Sequence, residues 1–187
     1  DIEPTTGCNF RCTMCQVSSP DFKAKNMNLE TFKKIINENK QLIKIKLQGM
    51  GEPLVNKHIY QMISYAKNFG IATELICNGS MLTQNNVENL LKNNLAKLTI
   101  SIDGASKEVF EKIRVKSNFN QVIQNSKNFK KMISKNFIRP EFSAWSTIQE
   151  DNLDEVESIT KLCKEIGFDD LTFQVFLTGW GKDDWNK

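Results

Sequence analysis

Short β-rich runs alternate with amphipathic segments from one end of this 187-residue chain to the other. Apolar residues that recur every three or four positions predict helices at residues 28–39, 56–69, 83–92, 107–135 with a break near Ser117, and 152–166. Runs rich in β-branched residues between them predict strands at residues 1–6, 43–48, 71–77, 97–103, 141–148 and 170–176. The pattern therefore predicts six β units with helices between them.

Strict alternation of strands and helices with short connections predicts a parallel sheet with right-handed crossovers. In the fourth predicted strand, Leu98, Ile100 and Ile102 alternate with polar residues at 99, 101 and 103. A doubly wound sheet buries both faces and reads as a continuous apolar run, whereas this strand keeps one polar face. We therefore predict an α/β partial TIM barrel of the (β/α)6 type, with the helices outside and the polar face lining a cavity.

Two further predictions follow from a barrel of this type. Glu3, Lys46 and Glu74 should point inward and form charge pairs. Chemistry in a parallel barrel lies at the C-terminal ends of the strands. That rule selects residues 8–15, 48–53, 77–79 and 101–104, together with Thr147 and Phe176.

Three cysteines at the first of these ends, Cys8, Cys12 and Cys15, have the spacing C-x3-C-x2-C. Three thiolates on one loop can hold a cubane iron–sulfur cluster and leave one iron without a protein ligand. Zinc is the alternative, and it would need a fourth ligand from the remaining candidates Cys77, Cys163 and His58. The patterns around Cys77 and Cys163 indicate packing in the core, and an odd number of cysteines disfavours a disulfide framework.

Composition narrows the class of protein further. A hydrophobic fraction of 40% supports a real core, and a formal charge of +3 is too small to indicate a nucleic-acid partner. No apolar run is long enough for a membrane span, and no secretory segment is visible, so we expect reduced cysteines and a cytoplasmic location. Residues 1–187 are interpreted as a single domain, which a C-terminal domain outside this chain could follow.

Four strand ends resemble motifs of the radical S-adenosylmethionine superfamily, whose signature is the C-x3-C-x2-C loop. Residues 49–53 read Gly-Met-Gly-Glu-Pro, similar to the superfamily's Gly-Gly-Glu-Pro with Met in place of the first Gly. Residues 77–79 and 101–104 resemble its Asn-Gly turn and its fourth strand end, and Arg114 follows. The resemblance extends from Asp1 to about Phe176 and is nearest to the branch of the molybdenum-cofactor cyclase and the SPASM-type peptide-modifying enzymes.

This resemblance implies a [4Fe-4S] cluster held by Cys8, Cys12 and Cys15. It also implies S-adenosylmethionine as the cosubstrate, cleaved by one electron to a 5′-deoxyadenosyl radical that abstracts hydrogen from a substrate. The residues implied to contact S-adenosylmethionine are Met14, Gly51, Glu52, Asn78, Ser101, Asp103, Arg114, Thr147 and Phe176. Met14 could equally be core filling, and Gly51 and Glu52 could equally form a tight turn.

The substrate is not identified by these motifs and could be a peptide, a protein or a small molecule. An external electron donor such as flavodoxin or ferredoxin is implied, whereas no membrane or nucleic-acid partner is expected. The alternative is a zinc- or cluster-stabilised βα module for binding or electron transfer that does not act on S-adenosylmethionine.

Overall fold

A five-stranded parallel sheet organises the protein, which is represented by a computed structural model describing residues 1–135 and 139–175. The strands are β1 (Lys44–Leu47), β2 (Ala72–Cys77), β3 (Lys97–Ser101), β4 (Glu141–Ile148) and β5 (Asp170–Val175). They follow one another in the order β1-β2-β3-β4-β5. Consecutive order with crossovers of one hand places the helices on one face of the sheet, as in a barrel and not in a doubly wound fold.

Six helices accompany the described strands: α1 (Leu29–Glu38), α2 (Ile59–Asn68), α3 (Gln84–Lys92), α4 (Lys107–Ile113), α5 (Phe119–Ile133) and α6 (Val156–Ile166). Side-chain oxygens of Asn28, Thr83, Ser106 and Asn118 accept hydrogen bonds from the first turns of α1, α3, α4 and α5. These caps satisfy amides that have no partner inside the helix, and so they fix where each helix begins. None of the helices in the described segments is both long and apolar enough to span a bilayer.

The predicted break near Ser117 is confirmed, because α4 ends before it and α5 begins after it. Lys116 has a φ of 68° in this turn. Gln149 and Asn152 make the reciprocal cap at the start of a 3-10 segment, Glu150–Glu155, that precedes α6.

The predicted first strand is reduced to a parallel bridge between Ile2 and Leu47. Ile2 N donates to Lys46 O at 2.9 Å, and Gln48 N donates to Ile2 O at 3.1 Å. The segment therefore still continues the sheet beside β1, and it carries the cysteines to the C-terminal edge.

The two faces of the sheet differ as the alternation predicted. The side facing the helices is apolar and buried, with Ile45, Leu47, Leu75, Cys77, Leu98, Ile100, Phe142 and Ala144 at 4% exposure or less. Cys163 is buried in the same core. The opposite face carries Glu74, Thr99, Ser101, Ser143 and Thr147. The prediction that Cys77 and Cys163 pack in the apolar core is confirmed.

The expected charge pairs on the polar face are partly wrong. Glu74 pairs with Lys44, Oε1 to Nζ at 3.0 Å, although Lys46 is the residue directly beside Glu74 in the register. The carboxylate of Glu3 accepts a hydrogen bond from Met50 N at 2.5 Å and so serves the loop after β1. A lysine side chain is long enough to reach diagonally, and register alone does not select its partner.

Candidate active site

The cysteine loop lies against the turn between α4 and α5. Arg11 N donates to Val115 O at 2.8 Å, and Thr13 N donates to Ile113 O at 2.9 Å. The guanidinium of Arg11 also donates to Cys8 O at 2.8 Å and to the carbonyl of the residue before itself at 2.7 Å. The loop therefore has a defined backbone, and its position depends on an element more than 100 residues away in sequence.

Hydrogen-bond donors point at two of the three sulfur atoms. Cys8 Sγ accepts from Phe10 N at 3.4 Å and lies 4.0 Å from Asn78 Nδ2. Cys12 Sγ lies 4.0 Å from Arg114 Nη1. Donors of this kind stabilise thiolate sulfur, which is the form that binds a metal cluster.

The third thiol has a different environment. Cys15 Sγ lies 3.8 Å from Met50 O, the carbonyl in the loop after β1. Burial raises the pKa of Cys12 to about 11, with Arg114 opposing the shift, and burial also raises the pKa of Cys8. Negative charge on Cys15 adds to the rise at both, so the three thiols are electrostatic neighbours.

Arg114 is buried at 7% exposure, between a carboxylate and a thiol. Its Nη2 lies 2.6 Å from Asp103 Oδ2, and its Nη1 faces Cys12. Nε of Arg114 is buried and has no hydrogen-bond partner. Asp103 is fully buried, and its Oδ1 accepts from Thr147 N at 2.8 Å. Asp103 thus orients Arg114, and its predicted contact with the cosubstrate stays a prediction.

Glu52 is a second buried carboxylate, at 2% exposure. Its Oε1 accepts from Leu54 N at 3.1 Å and its Oε2 from Asn78 N at 2.7 Å, which ties the loops after β1 and β2 together. Burial raises the pKa of Glu52 to about 7, and the two backbone hydrogen bonds oppose that rise. The turn role considered for this residue is therefore present, and binding of an ammonium group stays a prediction.

Gly51 is needed by the packing of this loop. A Cβ atom added there would lie 2.3 Å from Thr5 O and 2.6 Å from Gly7 O, both backbone atoms. Real Cβ atoms do not approach that closely, so only glycine fits beside the segment that leads to the cysteines.

Two more of the predicted contacts lie at the same edge of the sheet. Ser101 and Thr147 end β3 and β4 on the polar face and are half-buried. Met14 is partly buried against the core, which agrees with the packing alternative and leaves the adenine contact untested. Phe176 lies outside the described residues.

Two asparagines at this edge were missed by the motif analysis. Asn152 is 1% exposed, and its Nδ2 donates to Asp103 O and Thr147 O, both at 2.9 Å. Asn9, inside the cysteine loop, bonds to Asn78 and Ser80. An asparagine placed beside a motif residue was the available signal, but asparagine is common in loops and carried no distinguishing pattern.

The donor set at the mouth of the barrel is three free thiols on one loop, the donor type that holds iron–sulfur clusters. In residues 1–135 and 139–175, no three or more His, Cys, Asp and Glu side chains are grouped to hold one ion. A cubane requires a wider arrangement, because each thiolate binds a different iron. His58 Nδ1 lies 2.8 Å from Gln61 Oε1, and Cys77 and Cys163 lie in the core. Cys8, Cys12 and Cys15 thus fit a cluster by the chemistry of their donor atoms, and their role as its ligands stays a prediction.

Comparison with known proteins agrees with this architecture. An AdoMet-dependent heme synthase from Methanosarcina barkeri is 29% identical over 187 residues, which cover 97% of this chain and 51% of that protein. A mycofactocin maturase from Mycolicibacterium smegmatis is 25% identical over 186 residues, or 98% of this chain and 46% of the relative.

Solved structures show the same fold. SuiB from Streptococcus suis bound to S-adenosylmethionine has a TM-score of 0.78 at 15% identity, covering 96% of this chain and 41% of SuiB. SuiB bound to its precursor peptide SuiA has a TM-score of 0.77 at 14% identity, covering 94% and 38%.

The fold and site together define a partial parallel βα barrel with three thiols at its C-terminal mouth. The Radical SAM superfamily profile matches residues 2–140, and the chain belongs to that superfamily. The predicted family and fold are thus confirmed. The chain spans about half the length of the curated relatives reported above.

Proposed function

We propose that this chain is the core of a radical S-adenosylmethionine enzyme in which Cys8, Cys12 and Cys15 hold a [4Fe-4S] cluster. The observation that carries the proposal is the arrangement of the three thiols on one loop at the mouth of the barrel, with donors facing Cys8 and Cys12. When bound, such a cluster supplies one electron to S-adenosylmethionine, whose cleavage gives a 5′-deoxyadenosyl radical.

The chain's own residues would bind and orient the cosubstrate. Arg114 brings a cation beside Cys12, and its buried Nε has a free hydrogen to donate. A carboxylate such as that of the methionine moiety matches this guanidinium. Asp103 would keep Arg114 in place from the opposite side.

Gly51 and the half-buried Met50 form the wall beside Cys15. The carbonyl groups of this loop are acceptors for an ammonium, which supports the predicted role of residues 51 and 52. Ser101 and Thr147 offer hydroxyl groups on the polar face, which suits the hydroxyl groups of a ribose. The side chain of Asn78 would contact the cosubstrate only after giving up a hydrogen bond to Asn9 or Ser80.

The substrate would enter from the polar face of the sheet. Trp145 and Thr172 lie side by side there in adjacent strands and are half-buried. SuiB has been solved with a precursor peptide, which supports a peptide substrate. The relative named as a heme synthase supports a small molecule instead. We propose a peptide or small molecule whose radical chemistry occurs at this face, with a flavodoxin- or ferredoxin-like donor supplying the electron.

Anaerobic reconstitution with iron and sulfide tests the function. A radical enzyme should give a brown protein that, once reduced, converts S-adenosylmethionine to 5′-deoxyadenosine, measured by chromatography. A zinc module would stay colourless, and an electron carrier would be brown without cleavage.

Cys12→Ala should lose cluster and cleavage together, because a cubane with two protein ligands is not held. Cys163→Ala is the matched control, since it removes an equally buried thiol from the core. Equal loss of the cluster in both variants, or cleavage retained by Cys12→Ala, would contradict the proposal.

A further inference from the structure

Three side chains at the mouth of the barrel form a closed ring of hydrogen bonds. Asn9 Nδ2 donates to Ser80 Oγ at 2.9 Å, Ser80 Oγ donates to Asn78 Oδ1 at 2.6 Å, and Asn78 Nδ2 donates to Asn9 Oδ1 at 2.9 Å. Each side chain in this amide–hydroxyl ring donates once and accepts once within it. A ring with one direction of donation has a single arrangement of its protons, and its bonds polarise one another.

Two members of the amide–hydroxyl ring are held by neighbouring elements of the fold. Asn78 and Ser80 are buried at 6% and 8% exposure. Asn78 N donates to the carboxylate of Glu52, and Asn125 Nδ2 on α5 donates to Gly79 O at 2.9 Å and Ser80 O at 3.0 Å. Two of the three members therefore have defined positions set by β2, the loop after β1 and α5.

The third member belongs to the cysteine loop. Asn9 directly follows Cys8 and is an exposed residue, so the amide–hydroxyl ring restrains it where burial does not. Asn78 Nδ2 also lies 4.0 Å from Cys8 Sγ. A side-chain amide has two N–H groups, so one can serve Asn9 while the other faces the sulfur.

We propose that the amide–hydroxyl ring of Asn9, Asn78 and Ser80 positions Cys8 as a cluster ligand and holds an N–H donor on its sulfur. The inference rests on the proposed function, since it requires Cys8 to bind the cluster. Ser80 is a positioning residue, because its hydroxyl group is taken up by the two amides and acts on Cys8 only through them.

Removal of the Ser80 hydroxyl group opens the amide–hydroxyl ring at two bonds. Asn9 Nδ2 then has no acceptor, and Asn78 Oδ1 keeps only Ser80 N at 3.0 Å. Asn9 is then held only by Asn78, so the residue next to Cys8 loses one of its two bonds to the ring and the Asn78 N–H is less firmly fixed on the sulfur. Hydrogen bonds to ligand sulfur and outer contacts of a ligand change both the electronic state and the retention of a cluster.

The experiment compares Ser80→Ala with Ser126→Ala in the reconstituted chain. Ser126 is fully buried, and its hydroxyl group bonds to Val122 O within its own helix, so both variants lose one buried hydroxyl group. We expect Ser80→Ala to release iron to a chelator about 10-fold faster than wild type. We also expect it to shift the g values of the reduced cluster in electron paramagnetic resonance, whereas Ser126→Ala should match wild type in both.

Two further variants sharpen the test. Asn9→Ala removes the loop's half of the ring at an exposed position, so it should fold even if Ser80→Ala does not, and it should give the same faster iron release. Ser80→Thr keeps the hydroxyl group and should restore wild-type g values. A purely structural role would lower the melting temperature without moving the g values.

The outcomes separate the two levels of the proposal. If wild type and Ser126→Ala fail to assemble a cluster, the proposed function is wrong and this inference falls with it. If they assemble a cluster and Asn9→Ala and Ser80→Ala keep wild-type g values and iron release, only the positioning role is overturned.

Discussion

Two buried polar centres meet at the mouth of the barrel, and they hold the cysteine loop in different ways. Beside Cys8, the amide–hydroxyl ring and Glu52 use neutral side chains, backbone amides and a carboxylate without a cation in contact. Beside Cys12, Asp103 and Arg114 form a buried ion pair. The comparison teaches that the centre beside Cys8, called here the neutral centre because it contains no ion pair, depends on its hydrogen bonds and on the protonation of Glu52, while the charged centre depends on each ion keeping its partner.

The charged centre should give the largest loss of stability when one partner is removed. Arg114→Gln leaves the Asp103 carboxylate buried without its cation, which costs about 3–5 kcal/mol of unfolding free energy. Arg139→Gln is the matched control, because Arg139 pairs with Asp169 at 2.7 Å on a more exposed surface. Urea denaturation of the two variants checks this, and equal losses would show that burial of the pair has no influence.

The contribution of the neutral centre to the free energy of unfolding should depend on pH. Burial raises the pKa of Glu52 from 4.5 to about 7, so folding takes up a proton between these values. Stability is therefore highest below about pH 4.5 with respect to this group and falls as the pH rises towards 7. At about 1.4 kcal/mol per pKa unit, a rise of about 2.5 units corresponds to a loss of roughly 3–3.5 kcal/mol once the pH has passed the folded-state pKa.

Glu52→Gln should remove this slope, because the side chain no longer titrates. The measurement is the unfolding free energy of wild type and variant at several pH values between 4.5 and 8. Parallel curves for the two proteins would mean that Glu52 stays ionised through this range and that its two backbone donors outweigh its burial.

Gly51 tests how tightly the neutral centre is packed. Gly51→Ala places a methyl group against Thr5 O and Gly7 O, and overpacking of this kind costs about 1–3 kcal/mol. Gly70→Ala is the comparison, since nothing lies within 4 Å of its added Cβ and the only cost there is the backbone strain of an alanine at a φ of +70°. Thermal unfolding should rank Gly51→Ala below Gly70→Ala, and the reverse order would contradict the close approach.

The exposed ion pair of Arg139 and Asp169 should give the smallest loss of stability. It is the reference for the buried pair of Arg114 and Asp103. Asp169 accepts hydrogen bonds from Arg139, from Phe142 N and from Lys130, and these hold its pKa well below its usual range. Its contribution to stability is present above the unfolded pKa near 3.8 and is lost as the pH falls through lower values. Arg139→Gln should cost about 0–1 kcal/mol near neutral pH, and added salt should reduce the difference from wild type.

The sequence predicted the elements because their signals are local. Apolar periodicity located every helix of the described segments, and alternation in residues 97–103 distinguished a half-barrel from a doubly wound sheet. Cys77 and Cys163 were assigned to the core because each lies on an apolar face, which burial confirms. Prediction was less complete for residues 1–6, because an edge segment forms too few ladder bonds to appear as a strand.

The sequence alone did not identify the partners of long side chains. Glu3, Lys46 and Glu74 were expected to form charge pairs, and Glu74 pairs with Lys44 instead. Asp103 and Glu52 were expected to contact a ligand, which stays a prediction, and the sequence did not show that both also accept hydrogen bonds from backbone amides. A motif specifies which residue stands at a strand end, but the direction of its side chain depends on loops that arrive from elsewhere in the chain.

By itself, the amino-acid sequence determined the order of the elements, the polar face of the sheet and the three-cysteine loop, because periodicity and spacing are properties of neighbouring residues. Only the tertiary structure decided that Asn9 meets Asn78 and Ser80, and that Arg114 lies between Asp103 and Cys12. These contacts join residues separated by up to 102 positions, and such distances close only when the parallel strands bring their C-terminal ends together.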